Sequence, residues 1–286
     1  MRLQSSFRVS GLAAISLLAF VSCGGGGNTG PVVSIKGSDT MLHLVKKWVV
    51  SYQQVQPDVS IPVTGGGSGT GIAALLNGTT DICASSRDMT PEEREQAAAK
   101  GHEIKEYAVA LDGIAIVVNP SNPVADLSLE QLKSIYTGTI TNWNQVGGSD
   151  AEIVVCSRES SSGTYMFFLE HVLNKENYAP TALLLPATSA VIQSVQESPG
   201  AIGYVGLGYA DAAGDKIKVI PVRKSADAEP VVPSETTVRS GEYSIARPLY
   251  FYTAGEANPA LAGFIEFCTG EKGQAIVTEE GYVTVK

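Results

Sequence analysis

The sequence predicts an α/β fold, because short apolar strands alternate with helical patterns along almost the whole chain. Eight runs of four to six mostly apolar residues have the length and composition of buried strands. Between them, Met41, Val45, Trp48 and Tyr52 recur at helical spacing, as do the apolar residues within 165–173. This alternation is typical of mixed or mostly parallel sheets covered by helices. The predicted strands are 32–35, 59–63, 105–109, 114–119, 153–157, 201–205, 217–222 and 249–252.

Two helix starts carry capping signals. Thr90 and Glu93 form a capping-box pattern before a helix that Gly101 ends. Ser128 and Gln131 begin a further helix in the same way. These signals place helices directly after polar loops.

Composition excludes several classes of protein. The chain has 286 residues, of which 44% are hydrophobic and 17% charged, so it is neither disordered nor fibrous. A formal net charge of −9 argues against a general nucleic-acid binder, which needs a basic face. Three histidines and four scattered cysteines argue against a multi-ligand zinc site. We expect no cofactor.

The N-terminus has the pattern of an export signal. Arg2 and Arg8 precede an apolar stretch, 11–21, that is too short to anchor a helix across a bilayer. Cys23 follows, and the pattern resembles a bacterial lipoprotein signal, with cleavage after residue 22 and a lipid on Cys23. An ordinary signal peptide with an incidental cysteine is the alternative. We therefore expect residues 1–22 to be a signal peptide and the glycine-rich segment 23–31 to be a flexible tether.

Three cysteines remain after Cys23. Because Cys83, Cys156 and Cys268 are odd in number, they cannot all pair within one chain. Cys83 and Cys156 lie in apolar strand-like runs, where a free cysteine behaves as a small hydrophobic residue. We expect no structural disulfide.

The chain contains no internal repeat and no proline-rich linker after residue 31. Two lobes joined by crossing strands fit this organisation better than two domains in series. The extended segments near Asp112 and near Arg247-Pro248 are the natural crossing points. The first lobe is then 31–112 plus 246–286, and the second lobe is 113–245.

Four polar loops, each between a strand and a helix, are the most informative feature. Helix N-termini attract anions, glycine allows close approach of the backbone, and serine and threonine add hydroxyl donors. Arg158, in the fourth loop, can add a forked, charged donor. Each loop alone is also explained by ordinary helix capping, but four together indicate an anion site between the lobes. The loops are 37–41, 64–71, 81–87 and 158–164.

Other phosphate and nucleophile motifs are absent. No Gly-Lys-Ser/Thr follows the glycine run, so it is not a nucleotide P-loop. Ser68 has Thr70 where a nucleophile elbow needs glycine. His43, His102 and His171 lie in or beside helical patterns, and no catalytic triad assembles from them.

The chain resembles the phosphate-binding proteins of bacterial ABC importers, within the two-lobed periplasmic binding proteins. The resemblance covers residues 32–286 and is most specific in 65–72, 135–144 and 158–164. It implies a two-lobed periplasmic-binding-protein fold, in which each lobe is a mixed sheet flanked by helices and two hinge strands cross between them. It also implies closure on one phosphate and delivery to the permease subunits of an ABC importer.

The resemblance implies a set of phosphate-binding residues. Asp81 matches the position of an acid that accepts a hydrogen bond from the proton of the ligand. Ser38 and Arg87 are secondary candidates that also have capping or pairing explanations. The family often has Asp between the arginine and Ser-Gly-Thr, where this chain has Ser160 and Ser161. The direct donors implied are Thr40, Met41 (through its amide), Ser68, Arg158, Ser162, Gly163 and Thr164.

This set suggests how phosphate is selected. Near neutral pH phosphate carries a proton and sulfate does not, so a fixed carboxylate accepts a hydrogen bond from phosphate and repels sulfate. Together with the N-terminal signal pattern, the resemblance leads us to expect a lipid-anchored monomer, exported to the periplasmic or outer face of a bacterial membrane. Three alternatives stay open: a phosphate sensor or scavenger, a binder of sulfate, molybdate or tungstate, and a phosphatase that uses Ser68 or Ser162.

Overall fold

The computed structural model describes residues 1, 30–255 and 258–285. Apart from Met1, the predicted signal peptide, 1–22, lies outside the described residues, and so does Cys23. Within the part described, no helix has the length and apolar character needed to cross a membrane.

Short strands and helices alternate, as the sequence predicts. The strands are β1 (Ile35–Gly37), β2 (Val63–Thr64), β3 (Ile82–Ser85), β4 (Ile104–Val118), β5 (Leu127–Ser128), β6 (Val154–Arg158), β7 (Leu183–Leu185), β8 (Ala201–Gly206), β9 (Lys218–Ile220), β10 (Val222–Arg223) and β11 (Ala246–Ala254). The α-helices are α1 (Leu42–Gln53), α2 (Ser68–Leu76), α3 (Pro91–Ala99), α4 (Leu129–Tyr136), α5 (Gly163–His171), α6 (Thr188–Glu197), α7 (Leu207–Ala213), α8 (Glu235–Arg239), α9 (Pro259–Thr269) and α10 (Glu271–Glu279). Two 3₁₀ turns span Trp143–Val146 and Gly214–Lys216.

The main sheet passes through both lobes in the order β2-β1-β3-β11-β4-β8-β6-β7, with β9 also paired to β4. In the first lobe β2, β1 and β3 are parallel, and β11 is antiparallel to β3. In the second lobe β6 is parallel to both β8 and β7, and β4 is antiparallel to β8. The long strands β4 and β11 pair with each other where the lobes meet. The predicted two-lobed α/β fold, with a mixed sheet in each lobe and two crossing strands, is confirmed.

Each lobe has its own hydrophobic core. In the first lobe α1, α9 and α10 pack on the sheet around Trp48 and Phe251, both fully buried. In the second lobe Tyr136, Phe168 and Tyr204 pack together, with the Phe168 and Tyr204 rings stacked 4.3 Å apart. Cys83, Cys156 and Cys268 are buried and free, and burial raises the pKa of each thiol.

The capping boxes of Thr90 with Glu93 and of Ser128 with Gln131 are both formed. The division of β4 was wrong. The sequence predicted two strands, 105–109 and 114–119, because Asp112-Gly113 interrupts the apolar pattern. The backbone instead stays extended through this pair, since it bonds to β11 on one side of the interruption and to β8 on the other.

Candidate functional site

Three parallel strands of the first lobe end at the same edge of their sheet. The loops that follow β1, β2 and β3 therefore come together there. Helices α1 and α2 begin in the first two loops with Met41 and Gly67 as N-caps, and neither makes a side-chain capping bond. The first amides of a helix lack acceptors within the helix and attract anions. This edge thus presents backbone donors, the Met41 amide among them.

Three buried serine hydroxyls lie next to one another at this edge. Ser38 Oγ donates to Ser86 Oγ at 3.0 Å, and Ser68 Oγ lies 3.3 Å from the same oxygen. The Ser86 amide donates to Ser68 Oγ at 3.0 Å. Because hydroxyl hydrogens rotate, each group can turn its O–H toward an anion. Ser38 and Ser68 were predicted from the sequence, and Ser86 joins them from the third polar loop.

Helix α5 brings the second lobe onto the serine cluster. Its N-cap Ser162 is buried, and the Ser162 hydroxyl accepts a bond from the backbone of the first turn. Gly163 packs directly against the first lobe: a Cβ there would lie 2.6 Å from Ser86 Oγ and still closer to Ser68 Oγ. Only glycine fits at this position while the lobes are in contact.

Hydrogen bonds join the lobes on both sides of Gly163. Thr40 Oγ1 of the first lobe lies 2.8 Å from Thr164 Oγ1 of the second. The Gly69 amide donates to the Ser161 carbonyl at 3.0 Å. The structure thus brings together, between the two lobes, the predicted residues Ser38, Thr40, Met41, Ser68, Ser162, Gly163 and Thr164.

Arg158, the last residue of β6, is 2% exposed. Its Nε and Nη2 donate to the carbonyls of Leu185 and Pro186 at 3.2 and 2.9 Å. Its Nη1 donates to Thr188 Oγ1 at 2.7 Å and lies 3.5 Å from Asp39 Oδ2. Burial lowers the pKa of Arg158, and the carboxylate of Asp39 opposes that shift. Since guanidinium has five N–H donors, these bonds leave donors for a ligand.

Asp39 reaches across from the first lobe to the start of α6. Its Oδ2 accepts the Thr188 amide at 2.8 Å, whereas the N-cap residue Ala187 supplies no side-chain capping bond. Tyr209 donates its hydroxyl to the Asp39 carbonyl at 3.1 Å. Asp39 therefore caps a helix of the opposite lobe and faces Arg158. In the sequence, Asp39 is one residue of the first polar loop, 37–41, and no motif distinguishes it.

Arg87 is held by its neighbours. Its Nη1 and Nη2 donate to the two carboxylate oxygens of Glu93 at 2.8 and 2.7 Å, and Nη1 also donates to the Asp88 carbonyl. The guanidinium lies beside the glycine-rich loop: its Nη2 is 3.8 Å from the position that a Cβ on Gly69 would take. Glu93 neutralises its charge, so Arg87 supports this loop from the side.

The prediction for Asp81 was wrong. Asp81 precedes β3, and its Oδ2 accepts both the amide and the hydroxyl of Ser34 at 2.7 Å, at the start of β1. The polar edge lies at the opposite end of β3, roughly 16 Å away at about 3.3 Å per strand residue. Because β3 has only four residues, the sequence pattern placed Asp81 and Ser86 in one polar loop, although they lie at opposite ends of the strand.

Arg247 and Asp112 form a buried ion pair at the back of the site, which sequence reasoning identified only as a crossing point. Arg247 Nη2 lies 2.9 Å from Asp112 Oδ2 and donates to Thr164 Oγ1 at 3.0 Å. Burial raises the pKa of Asp112, and Arg247 opposes that shift. An arginine within a strand carries no loop motif, so only its place at the crossing could have indicated a role.

The amino-acid sequence is similar to those of known proteins. The sequence model of a PBP superfamily domain matches residues 25–272. The phosphate-binding protein PstS of Bacillus subtilis is 34% identical over 254 residues, covering 88% of this chain and 80% of the relative. PstS of Borreliella burgdorferi is 32% identical over 264 residues, covering 89% and 90%.

Solved structures give the same result. A phosphate ABC transporter substrate-binding protein of Clostridium perfringens, with bound phosphate, matches with a TM-score of 0.82 and 34% identity, covering 89% of this chain and 100% of that one. An ABC-type phosphate transport receptor of Vibrio cholerae matches with a TM-score of 0.71 and 31% identity, covering 88% and 99%. The chain therefore belongs to the PBP superfamily and, within it, to the family of the PstS phosphate-binding proteins.

Proposed function

We propose that this protein binds inorganic phosphate between its two lobes and delivers it to the permease of an ABC importer. One observation carries the proposal: serine and threonine hydroxyls from both lobes meet three helix N-termini and a buried arginine at one place. Together these groups offer many donors to a compact anion. The membership of the PstS family supports the same ligand.

Donors from both lobes surround the proposed ligand position. Arg158 supplies the charge, and the N-termini of α1, α2 and α5 supply backbone amides. Ser38 and Arg87 have a secondary role, because the Ser38 hydroxyl donates to Ser86 and Arg87 is paired with Glu93. The direct donors we propose are Thr40, Met41 (amide), Ser68, Ser86, Arg158, Ser162, Gly163 (amide) and Thr164.

We propose that Asp39 takes the role that the family resemblance implied for Asp81. Asp39 directly precedes the Thr40 and Met41 donors and lies 3.5 Å from Arg158 Nη1. Its carboxylate can accept a bond from the proton of phosphate, whereas sulfate would bring a lone pair against it. An acidic protein with a net charge of −9 therefore selects one oxyanion through local donors and one local acceptor.

Asp39→Asn is expected to lower the preference for phosphate over sulfate by about 10- to 150-fold, since a bond to a charged group contributes about 1.5–3 kcal/mol. The amide retains the size of Asp39 and can still accept from Thr188. Titration with each anion measures the ratio. Asp81→Asn is the matched control, because among the described residues the Asp81 carboxylate bonds to Ser34, far from the site, and its ratio is expected to equal that of the wild type. An unchanged ratio in Asp39→Asn contradicts the role of Asp39.

We also propose the lobe boundaries predicted from the sequence, 31–112 plus 246–286 and 113–245. Asp112 and Arg247 stand opposite each other on β4 and β11, at the point where the two hydrophobic cores adjoin. Hinge motion about this point would open the site and release phosphate.

The function is tested by calorimetric titration of residues 31–286, unfolded and refolded to remove ligand, with phosphate, sulfate and molybdate separately. We expect tight one-to-one binding of phosphate and much weaker binding of the other two. Binding of sulfate or molybdate without phosphate would retain the fold and overturn the ligand. Absence of heat with all three would overturn an oxyanion function.

We propose no catalytic activity. Within 30–255 and 258–285, no cluster of three or more His, Cys, Asp or Glu is placed to hold a metal ion. His43, His102 and His171 take no part in the contacts of the site described above. Release of phosphate from a chromogenic ester, abolished by Ser68→Ala, would contradict this proposal.

We further propose that the chain is exported, cleaved after residue 22 and anchored by a lipid on Cys23, as a monomer on the periplasmic or outer face of a bacterial membrane. The N-terminal pattern of Arg2, Arg8, the apolar stretch 11–21 and Cys23 supports this proposal. Cys23→Ser is expected to abolish incorporation of labelled fatty acid and to release the protein from membrane pellets. Unchanged labelling would contradict the anchor.

A further inference from the structure

Arg247 lies where the two lobes join. It stands opposite Asp112 in the pairing of β11 with β4, and both side chains are buried, with exposures of 2% and 0%. Arg247 Nε and Nη2 lie 3.3 and 2.9 Å from Asp112 Oδ2. The other oxygen of Asp112 accepts the Leu207 amide at 3.0 Å. The guanidinium is thus fixed on its Nε–Nη2 side.

The same guanidinium touches the proposed phosphate donors. Arg247 Nη2 donates to Thr164 Oγ1 at 3.0 Å, and Thr164 Oγ1 lies 2.8 Å from Thr40 Oγ1. The position that a Cβ on Gly206 would take is 2.9 Å from the Thr40 methyl group and 3.0 Å from Asp112 Oδ1. The Asp112 carboxylate therefore lies close to Thr40. Arg247 therefore bonds directly to Thr164 of the second lobe and is linked through the Thr164 hydroxyl to Thr40 of the first lobe.

One nitrogen of Arg247 has no acceptor in the part of the chain that the structure describes. Nη1 is buried and, among the described residues, makes no hydrogen bond. The ring of Phe167 lies 5.5 Å from Arg247 Cζ and covers one face of the guanidinium, but a ring face does not accept the in-plane N–H bonds of Nη1. Buried N–H groups are almost always paired, so an unpaired one next to an anion site indicates an acceptor supplied by a ligand.

We propose that Arg247 is a second arginine of the phosphate site, contributed by the hinge strand, and that its Nη1 donates to an oxygen of the bound phosphate. Nε and Nη2 stay on Asp112, and Nη2 holds Thr164. Arg158 and Arg247 then approach the anion from the second lobe and from the hinge. Phosphate would in this way contact the strand pair about which the lobes move. This inference rests on the proposed function.

The test is calorimetric titration of residues 31–286 with phosphate, for the wild type and for Arg247→Lys. Lysine keeps the charge that Asp112 needs, but its single nitrogen cannot serve Asp112, Thr164 and phosphate together. We expect the phosphate Kd to rise at least tenfold, with the ligand-free unfolding temperature close to that of the wild type. Arg223→Lys is the matched control, because Arg223 pairs with Asp126 away from the site, and its Kd is expected not to change.

A second variant keeps the test decisive if Arg247→Lys does not fold. Asp112→Asn with Arg247→Gln removes both charges at once, so no buried charge is left unpaired, and it is also expected to raise the Kd at least tenfold. A wild-type Kd in either folded variant, even with a lowered unfolding temperature, overturns the inference, because Arg247 would then only join the strands.

Nuclear magnetic resonance of the arginine side chains gives an independent result. In the wild type, the Arg247 Nη and Nε signals, assigned by their absence from Arg247→Lys, are expected to shift on addition of phosphate, and unshifted signals overturn the contact. Wild-type protein that binds no phosphate at all contradicts the proposed function itself, which separates that failure from the failure of this inference.

Discussion

Arg158→Met is expected to raise the Kd for phosphate by at least about 100-fold. Three of the five N–H donors of Arg158 are committed to Leu185, Pro186 and Thr188, which leaves two for the anion. Each bond to a charged partner contributes about 1.5–3 kcal/mol, and about 1.4 kcal/mol corresponds to a tenfold change. Calorimetric titration with phosphate measures the loss.

The control for this variant is Arg223→Met in the same lobe, where a partly exposed arginine pairs with Asp126. Its Kd is expected to match that of the wild type. Because Arg158 also ties the loop before α6, the ligand-free unfolding temperature is measured for both variants. Arg158→Lys retains the charge without the forked donors. Its phosphate Kd is expected to lie between those of Arg158→Met and the wild type. A methionine variant that binds within threefold of the wild type would refute the assignment of Arg158.

Gly163→Ala is expected to weaken phosphate binding by about 10- to 100-fold while leaving each lobe folded. The added methyl would lie 2.6 Å from Ser86 Oγ, and nearer to Ser68 Oγ, only when the lobes are in contact. Inserting a methyl group into a packed interface costs about 1–3 kcal/mol. The cost therefore falls on the closed state. Small-angle scattering with saturating phosphate is expected to detect a more open molecule.

Gly65→Ala is the matched control within the glycine-rich loop. Its Cβ would contact Leu42 and Asp39 at ordinary distances of 3.5 and 3.6 Å, and its three nearest atoms all belong to these first-lobe residues. We expect its phosphate Kd to stay within threefold of the wild type. Equal effects of the two substitutions would show that loop stiffness, and not contact between the lobes, explains the loss.

The contacts between the lobes explain why an anion can control closure. Several are neutral hydroxyl or backbone hydrogen bonds, such as Thr40 to Thr164 and Gly69 to Ser161, while Asp39 adds charged contacts to Thr188 and Arg158. Such neutral bonds replace bonds to water and contribute only about 0.5–1.5 kcal/mol each. Phosphate, by contrast, meets cationic and dipolar groups of both lobes at once. Its differential affinity for the closed state can therefore shift the equilibrium.

Local features of the sequence predicted much of the fold. The apolar stripe from Met41 to Tyr52 became α1, and both capping boxes formed, because these signals act within a few residues. The strand β7 and the helices α6 to α10 were not predicted, although α8 starts with a capping box at Ser234 and α9 with Asn258 before Pro259. The strand predicted at 32–35 instead spans Ile35–Gly37, and only an isolated bridge of Val32 with Ser60 precedes it.

The α/β class, the burial of Cys83 and Cys156 and the polar loops between the lobes could be predicted from the sequence alone. Those loops could be found because strand ends and helix starts are encoded locally by glycine, serine and threonine. Arg158 was also predicted, but the acid and the second arginine beside the site could be identified only from the tertiary structure. Asp81 lies at the wrong end of β3, while Asp39 and Arg247 reach the site from another loop and from the hinge. The direction and partners of a side chain depend on strand order and lobe contact, which are long-range properties that local spacing does not specify.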